Sequence, residues 1–153
     1  MQHKILIVEE GEHIADRIKD VPSLKPYTML YAHTPEHAFT MLSENKVDVI
    51  VSDEDLSTMS GLEFLAFARK KCPDAIQMIL TGDTNFKTAM RAINNGKIYR
   101  LFSKPCNVVD MALTIHCVLH KKKHLKRLMK VWQESNRDDQ DTSGISQNHA
   151  LAL

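Results

Sequence analysis

Five short apolar, β-branched runs, separated by stretches of helical length, constrain this chain more than any other feature. The runs cover residues 5–8, 27–31, 47–51, 76–80 and 98–102. The first and third are almost continuously apolar, the pattern of central parallel strands buried on both faces. Between the runs lie amphipathic stretches. Residues 36–44 place Ala38, Met41 and Leu42 on one face, and 61–71 do the same with Leu62, Leu65 and Ala68. A third, 85–95, carries Phe86, Ala89, Met90 and Ile93 and is followed by Gly96, a suitable helix C-cap. Pro35 and Pro73 mark a helix start and a helix end. The alternation predicts five βα units in order, hence an α/β fold with a doubly wound, five-stranded parallel sheet and helices on both faces. Right-handed crossovers then put the crevice at the carboxyl ends of the strands.

Composition narrows the class further. At 153 residues the chain is about one ordinary domain, large enough for a core without disulfides or metal. Apolar residues make up 43% and charged residues 25%, which excludes collagen-like, mucin-like and wholly disordered chains. No apolar run approaches the roughly 18 residues of a membrane span, and residues 1–5 lead straight into a strand-like segment rather than a signal peptide. Cys72, Cys106 and Cys117 are odd in number and lack a C-x-x-C spacing, which suits a reducing, cytoplasmic setting. The net charge of +1 conceals three regions. Residues 1–110 hold 13 basic and 15 acidic side chains, residues 111–133 hold six basic and no acidic ones, and residues 134–153 hold one basic and four acidic ones. A mildly acidic body, a basic segment and an acidic tail point to three physical roles.

The predicted strand ends carry chemistry. Glu9 and Glu10 follow the first strand, and Asp53, Glu54 and Asp55 follow the third. The fourth runs into Thr81-Gly82-Asp83 and the fifth into Ser103-Lys104-Pro105. In a parallel sheet these ends share one rim. Clustered carboxylates repel unless a hard cation sits among them, and Mg²⁺ with oxygen ligands is the economical choice. A hydroxyl and an ammonium added to that set make it resemble a phosphoryl site: cations neutralise the equatorial oxygens and a carboxylate serves as acceptor.

The segment Asp53-Glu54-Asp55-Leu56-Ser57-Thr58-Met59-Ser60-Gly61-Leu62-Glu63-Phe64-Leu65 resembles the phosphoacceptor strand and loop of two-component response-regulator receiver domains (CheY-like). With residues 5–10, Leu80-Thr81-Gly82 and Lys104-Pro105, the resemblance covers roughly residues 3–120. Residues 92–100 look most like those of receivers that precede HD-GYP domains. The resemblance implies a flavodoxin-like (βα)5 sheet of strand order 2-1-3-4-5 with an extended C-terminal helix. It implies Asp53 as phosphoacceptor, eight residues before Gly61. It gives Mg²⁺ to Glu9, Glu10 and Asp53 with the main-chain carbonyl of Asp55, and phosphoryl contacts to Thr81 and Lys104. Pro105 would follow Lys104 through a cis peptide. The implied partners are a sensor histidine kinase or phosphotransfer protein upstream and an effector protein downstream.

Four departures from the family pattern stand out. Both acidic-pocket positions are Glu, where receivers generally have at least one Asp. Ser57 replaces the usual Pro, which predicts a looser loop after Asp53. Leu101 takes the place of the aromatic that switches rotamer, and the adjacent Phe102 should face the other side of its strand. Asp55 and Asp83 occupy positions that tune phosphoryl lifetime. Two other readings compete with a phosphorylated receiver. One is a receiver-like module that signals without phosphate. The other is a haloacid-dehalogenase-like phosphatase, with Asp53 as nucleophile and Asp55 as general acid/base. Such enzymes place a further acidic pair after the Lys, whereas Glu9 and Glu10 precede everything, and the chain has no cap insert.

The C-terminal third is organised differently. Met111, Ile115, Val118, Lys122, Leu125, Met129 and Trp132 follow a heptad spacing. The receiver is expected to end near residue 120 and to be followed by a helical extension, 121–134. There Leu125, Leu128, Met129 and Trp132 lack a core, and a second copy of the helix is the simplest partner. Lys121, Lys122, Lys123, Lys126 and Arg127 read as a solvated face rather than a nucleic-acid contact. His116, His120 and His124 fall on that outer face too. Residues 135–153, rich in Asp, Ser, Asn and Gln, have the composition of a disordered tail.

Overall fold

The computed structural model describes residues 2–11, 14–82 and 86–151; for Phe86 and residues 140–151 only the backbone is described. The chain divides into two units, residues 1–116 and 117–153.

The first unit is built on a five-stranded parallel sheet of order β2-β1-β3-β4-β5. Its strands are β1 (Lys4–Val8), β2 (Thr28–Ala32), β3 (Val49–Asp53), β4 (Ile76–Thr81) and β5 (Arg100–Ser103). The helices are α1 (Ile14–Ile18), α2 (Pro35–Glu44), α3 (Gly61–Lys71), α4 (Phe86–Asn94) and α5 (Val108–Leu151), with a 3₁₀ turn at Pro22–Leu24. The doubly wound topology is as expected. Every residue of β3 is buried, and so are Ile5 to Val8 of β1, because helices cover both faces of these central strands.

Alternation along the strands divides the core. Leu6, Val8, Ile50 and Ile79 pack with Ala38 and Leu42 of α2, Phe64, Leu65 and Ala68 of α3, and Ala89 of α4. Their neighbours Ile5, Ile7, Val49, Val51, Met78 and Leu80 are 0% exposed and point the other way. On that side Ile14 and Ile18 of α1 and Met111, Ala112 and Ile115 of α5 supply the buried apolar surface.

Local signals set the element ends. Thr34 caps α2 by accepting from the His37 N–H at 3.1 Å. Ser60 and Glu63 form a reciprocal capping box at the start of α3. Gly96, with φ of 72°, ends α4 as its spacing predicts; the N–H groups of Gly96 and Lys97 reach back to Ile93 and Ala92.

Three strand boundaries lie two residues later than expected. The third strand begins at Val49, not Val47; just ahead of it the Asp48 carboxylate accepts from the Lys4 N–H at 3.0 Å and lies 3.3 Å from His3 Nδ1. Asp53 is the last residue of β3, whereas the sequence pattern ends that strand at Val51 and places Asp53 after it. The fifth strand starts at Arg100, with Ile98 buried ahead of it and the Tyr99 N–H donating to the Gln77 carbonyl at 2.7 Å. Helix α1, five residues long, is too short to display a helical period. In addition, the backbone of α5 is helical through Leu151. His116 is half-buried and shares a 2.9 Å hydrogen bond with the Tyr27 hydroxyl, so it does not belong to a solvated histidine face.

In the second unit Leu125, Leu128, Met129, Val131 and Trp132 are all more than half exposed. No helix among the described residues is long and apolar enough to cross a membrane.

Candidate functional site

The sheet brings four strand ends together at one rim. Val8 pairs with Ser52, Asp53 with Leu80, and Thr81 with Ser103, so Glu9, Asp53, Thr81 and Lys104 follow one another across β1, β3, β4 and β5. Asp53 is 4% exposed. Its Oδ1 accepts from the Asp55 N–H at 3.0 Å and lies 2.6 Å from Lys104 Nζ. Lys104 Nζ is also 3.6 Å from Asp55 Oδ2. One ammonium thus serves two carboxylates, and the charge-assisted contact to Asp53 is the shorter. The Lys104–Pro105 peptide is cis, and the Lys104 N–H donates to the Thr81 carbonyl at 3.0 Å. Thr81 is buried, and its hydroxyl donates to the Gly82 carbonyl at 3.0 Å.

The backbone around Asp53 is tightly fastened. Glu54, a residue that sequence reasoning left without a role, is buried. Its N–H donates to the Leu80 carbonyl at 2.8 Å and its carbonyl accepts from the Gly61 N–H at 2.9 Å. Its side chain accepts from the Leu62 N–H at 3.0 Å, at the N-terminus of α3. Burial pushes the Glu54 carboxyl above its ordinary range. Asp55, Asp53 and Glu63 push the same way, and the Leu62 N–H opposes them. Gly61 is required by space: a Cβ there would lie 2.2 Å from the Asp53 carbonyl oxygen and 2.8 Å from Glu54 Cα.

The acidic pair behaves asymmetrically. Glu9 is 4% exposed, and its Oε1 accepts from the Ala15 N–H at 2.9 Å. Glu10 instead reaches across to the loop after Asp53. Its Oε2 accepts from the Ser57 N–H and its Oε1 from the Ser57 hydroxyl, both at 2.9 Å. Thr58 adds a hydroxyl bond to Glu36 Oε1 at 3.0 Å. The loop that the missing Pro predicts to be loose is therefore tied at two successive residues. The signal was present in Ser57 and Thr58, whose hydroxyls need acceptors, but which carboxylates they find depends on the β1–β3 and α2 placement.

A cavity of about 420 Å³ opens beside Glu9 and Glu10 and is also lined by Asp16, Lys19, Tyr31 and His33. Among the described residues no three His, Cys or carboxylate side chains converge as a ligand set, Glu10 being turned toward Ser57. The donors are nonetheless of one kind. Two buried carboxylates, Glu9 just after β1 and Asp53 at the end of β3, lie at the ends of adjacent paired strands, with Glu10 next along the chain and Asp55 two residues after Asp53, all offering hard oxygen ligands. That chemistry fits Mg²⁺ rather than a softer metal.

The switch positions divide between faces. Leu101 packs, partly buried, against the α2–α3–α4 side of the core. Phe102 is 4% exposed and faces the opposite side, where the Arg100 guanidinium lies 4.7 Å from its ring centroid. Arg100 in turn binds Asp110 of α5 at 2.6 Å and contacts the Thr114 hydroxyl. Asp83 lies outside the described residues.

Residues 5–116 match the response regulator receiver domain family, and the chain belongs to it. It is a CheY-like receiver of two-component signalling, a phosphoacceptor signalling module rather than an enzyme. The chain is 32% identical over 124 residues to the transcriptional regulatory protein YvrH of Bacillus subtilis, covering 80% of this chain and 49% of that protein. It is 23% identical over 104 residues to the hydrogenase transcriptional regulatory protein HoxA of Cupriavidus necator, covering 68% of this chain and 21% of that protein. The chain thus spans between about a fifth and a half of these relatives. Among solved structures, the signal receiver domain of an HD domain-containing protein from Pseudomonas fluorescens Pf-5 matches at 31% identity and a TM-score of 0.71. That match covers 81% of this chain and 99% of the other. A response regulator receiver domain protein from Clostridium thermocellum matches at 26% identity and a TM-score of 0.69, covering 80% and 98%. The likeness to a receiver of an HD domain protein agrees with the reading of residues 92–100.

Proposed function

We propose that Asp53 accepts a phosphoryl group from a sensor histidine kinase or phosphotransfer protein, with Mg²⁺ held by Glu9, Glu10, Asp53 and the Asp55 carbonyl. The observation that carries this reading is the 2.6 Å contact between the buried Asp53 carboxylate and Lys104 Nζ, with Thr81 at the next strand end. A carboxylate oxygen of Asp53 forms the new O–P bond as the donor's N–P bond breaks, and the donor imidazole leaves with the electron pair. Lys104 moves its ammonium from the carboxylate to a phosphoryl oxygen, and the Thr81 hydroxyl turns from the Gly82 carbonyl to donate to another. When bound, Mg²⁺ supplies further neutralisation of phosphoryl charge. Asp55 and Asp83 set how long the acyl phosphate survives. Leu101, Phe102 and Pro105, together with the Gly61 turn, carry the change to the α4–β5–α5 face, where an effector protein binds. The three free thiols support a cytoplasmic setting.

Acetyl phosphate with Mg²⁺ tests the acceptor. The wild type takes up one alkali-labile phosphoryl group and Asp53→Asn takes up none; labelling that persists in the variant refutes the assignment. A wild type that binds neither phosphoryl nor beryllofluoride supports the alternative, a module that signals without phosphate.

The exposed stripe of Leu125, Met129 and Trp132 continues the heptad spacing of buried Met111 and Ile115, and we assign it to a second copy of α5 in a homodimer.

A further inference from the structure

The two most conspicuous departures from the family pattern, a Glu at position 10 and a Ser at position 57, are halves of a single contact. Ser57 offers Glu10 two donors, its main-chain N–H and its hydroxyl, each at 2.9 Å and each on a different carboxylate oxygen. A proline at this position would have neither donor. An Asp at position 10 would be one methylene shorter and would fall short of the loop. The contact joins the end of β1 to a loop 47 residues away, and Thr58 repeats the device on Glu36.

Both Glu10 oxygens are thereby directed at the loop, and among the described residues no third carboxylate converges with Glu9 and Asp53. A carboxylate that coordinates a small cation gives up lone-pair density and reorients its plane, which two fixed donors on separate oxygens oppose. We propose that Ser57 is a positioning residue that withholds Glu10 from the metal site, so that binding a divalent cation and releasing Ser57 are one event. This rests on the Mg²⁺-dependent reading above. It adds that the loop bordering the phosphoacceptor reports cation occupancy before any phosphoryl group arrives.

Mg²⁺ titrated calorimetrically into the full-length, ¹⁵N-labelled protein, with amide exchange followed by NMR, tests it. The pair is solvent-exposed, so each charge-assisted bond is worth only a few-fold in affinity. Ser57→Ala should bind Mg²⁺ about threefold tighter than wild type, and Ser57→Pro, lacking both donors, about tenfold tighter. Ser57→Thr keeps both donors and should match wild type. In the wild type, Mg²⁺ should deprotect the Ser57 amide while the Leu62 amide, bound to Glu54, stays protected. Unchanged or weaker Mg²⁺ binding in Ser57→Ala, with the wild-type Ser57 amide protected throughout, overturns the proposal. Absence of Mg²⁺ binding in all four proteins is a different failure: it removes the metal site itself.

Discussion

Gly61→Ala is the sharpest test of how the end of β3 is held. The added Cβ would sit 2.2 Å from the Asp53 carbonyl oxygen and 2.8 Å from Glu54 Cα. Both are backbone atoms of a strand end pinned to β4 by the Glu54-to-Leu80 bond, so no side-chain rotation relieves the clash. Overpacking typically costs about 1–3 kcal/mol, and rigid backbone puts this case near about 3 kcal/mol. Alanine at a helical position recovers about 0.5–1 kcal/mol relative to glycine, which leaves a net loss of about 2 kcal/mol. For a unit of this size that corresponds to a fall in Tm of about 8 °C. Thermal denaturation by circular dichroism measures it, with Gly82→Ala as the control, since a Cβ at Gly82 meets nothing within 4 Å. Equal Tm values for the two variants would refute the reasoning. So would a Gly61→Ala protein that is as stable as wild type.

Two further predictions follow from the same geometry. The Glu54 carboxyl is raised above its ordinary value of 4.5, chiefly by burial, so its contribution to stability is complete below that pH and is lost as pH rises from there through the raised folded value. Glu54→Gln, which can still accept from Leu62, should therefore gain stability over wild type as pH rises through that window; a difference in unfolding free energy that is flat with pH sinks the argument. The α5 dimer predicts that the full chain sediments as a dimer and that Leu125→Lys with Trp132→Lys sediments as a monomer of unchanged fold; an already monomeric wild type ends that assignment.

The fold was legible because the burial of β1 and β3 on both faces leaves a continuous apolar signature, and because Pro35 and Gly96 mark a helix start and a helix end through local chemistry. Helix α1 escaped notice since five residues give no period. The start of β3 was misread because Val47 is apolar and buried, although the pairing register with β1 and β4 begins only at Val49. The candidate site followed the same division. Strand-end chemistry named Asp53, Thr81 and Lys104, but the partnership of Glu10 with Ser57 depends on two loops meeting, and neither residue alone announces the other.

Glu54 gives Asp53 two unlike flanks. Toward β4 and α3 it is bolted through its amide, its carbonyl and its carboxylate, and that side of Asp53 acts as an abutment. Toward residues 55–60 the chain is held by Ser57 and Thr58 on the Glu10 and Glu36 carboxylates, side-chain acceptors rather than strand or helix backbone. On the proposed reading a change at Asp53 is expected to pass toward residues 55–60, so that a partner resting there would read the state of the site while one gripping the start of α3 would read only the fold.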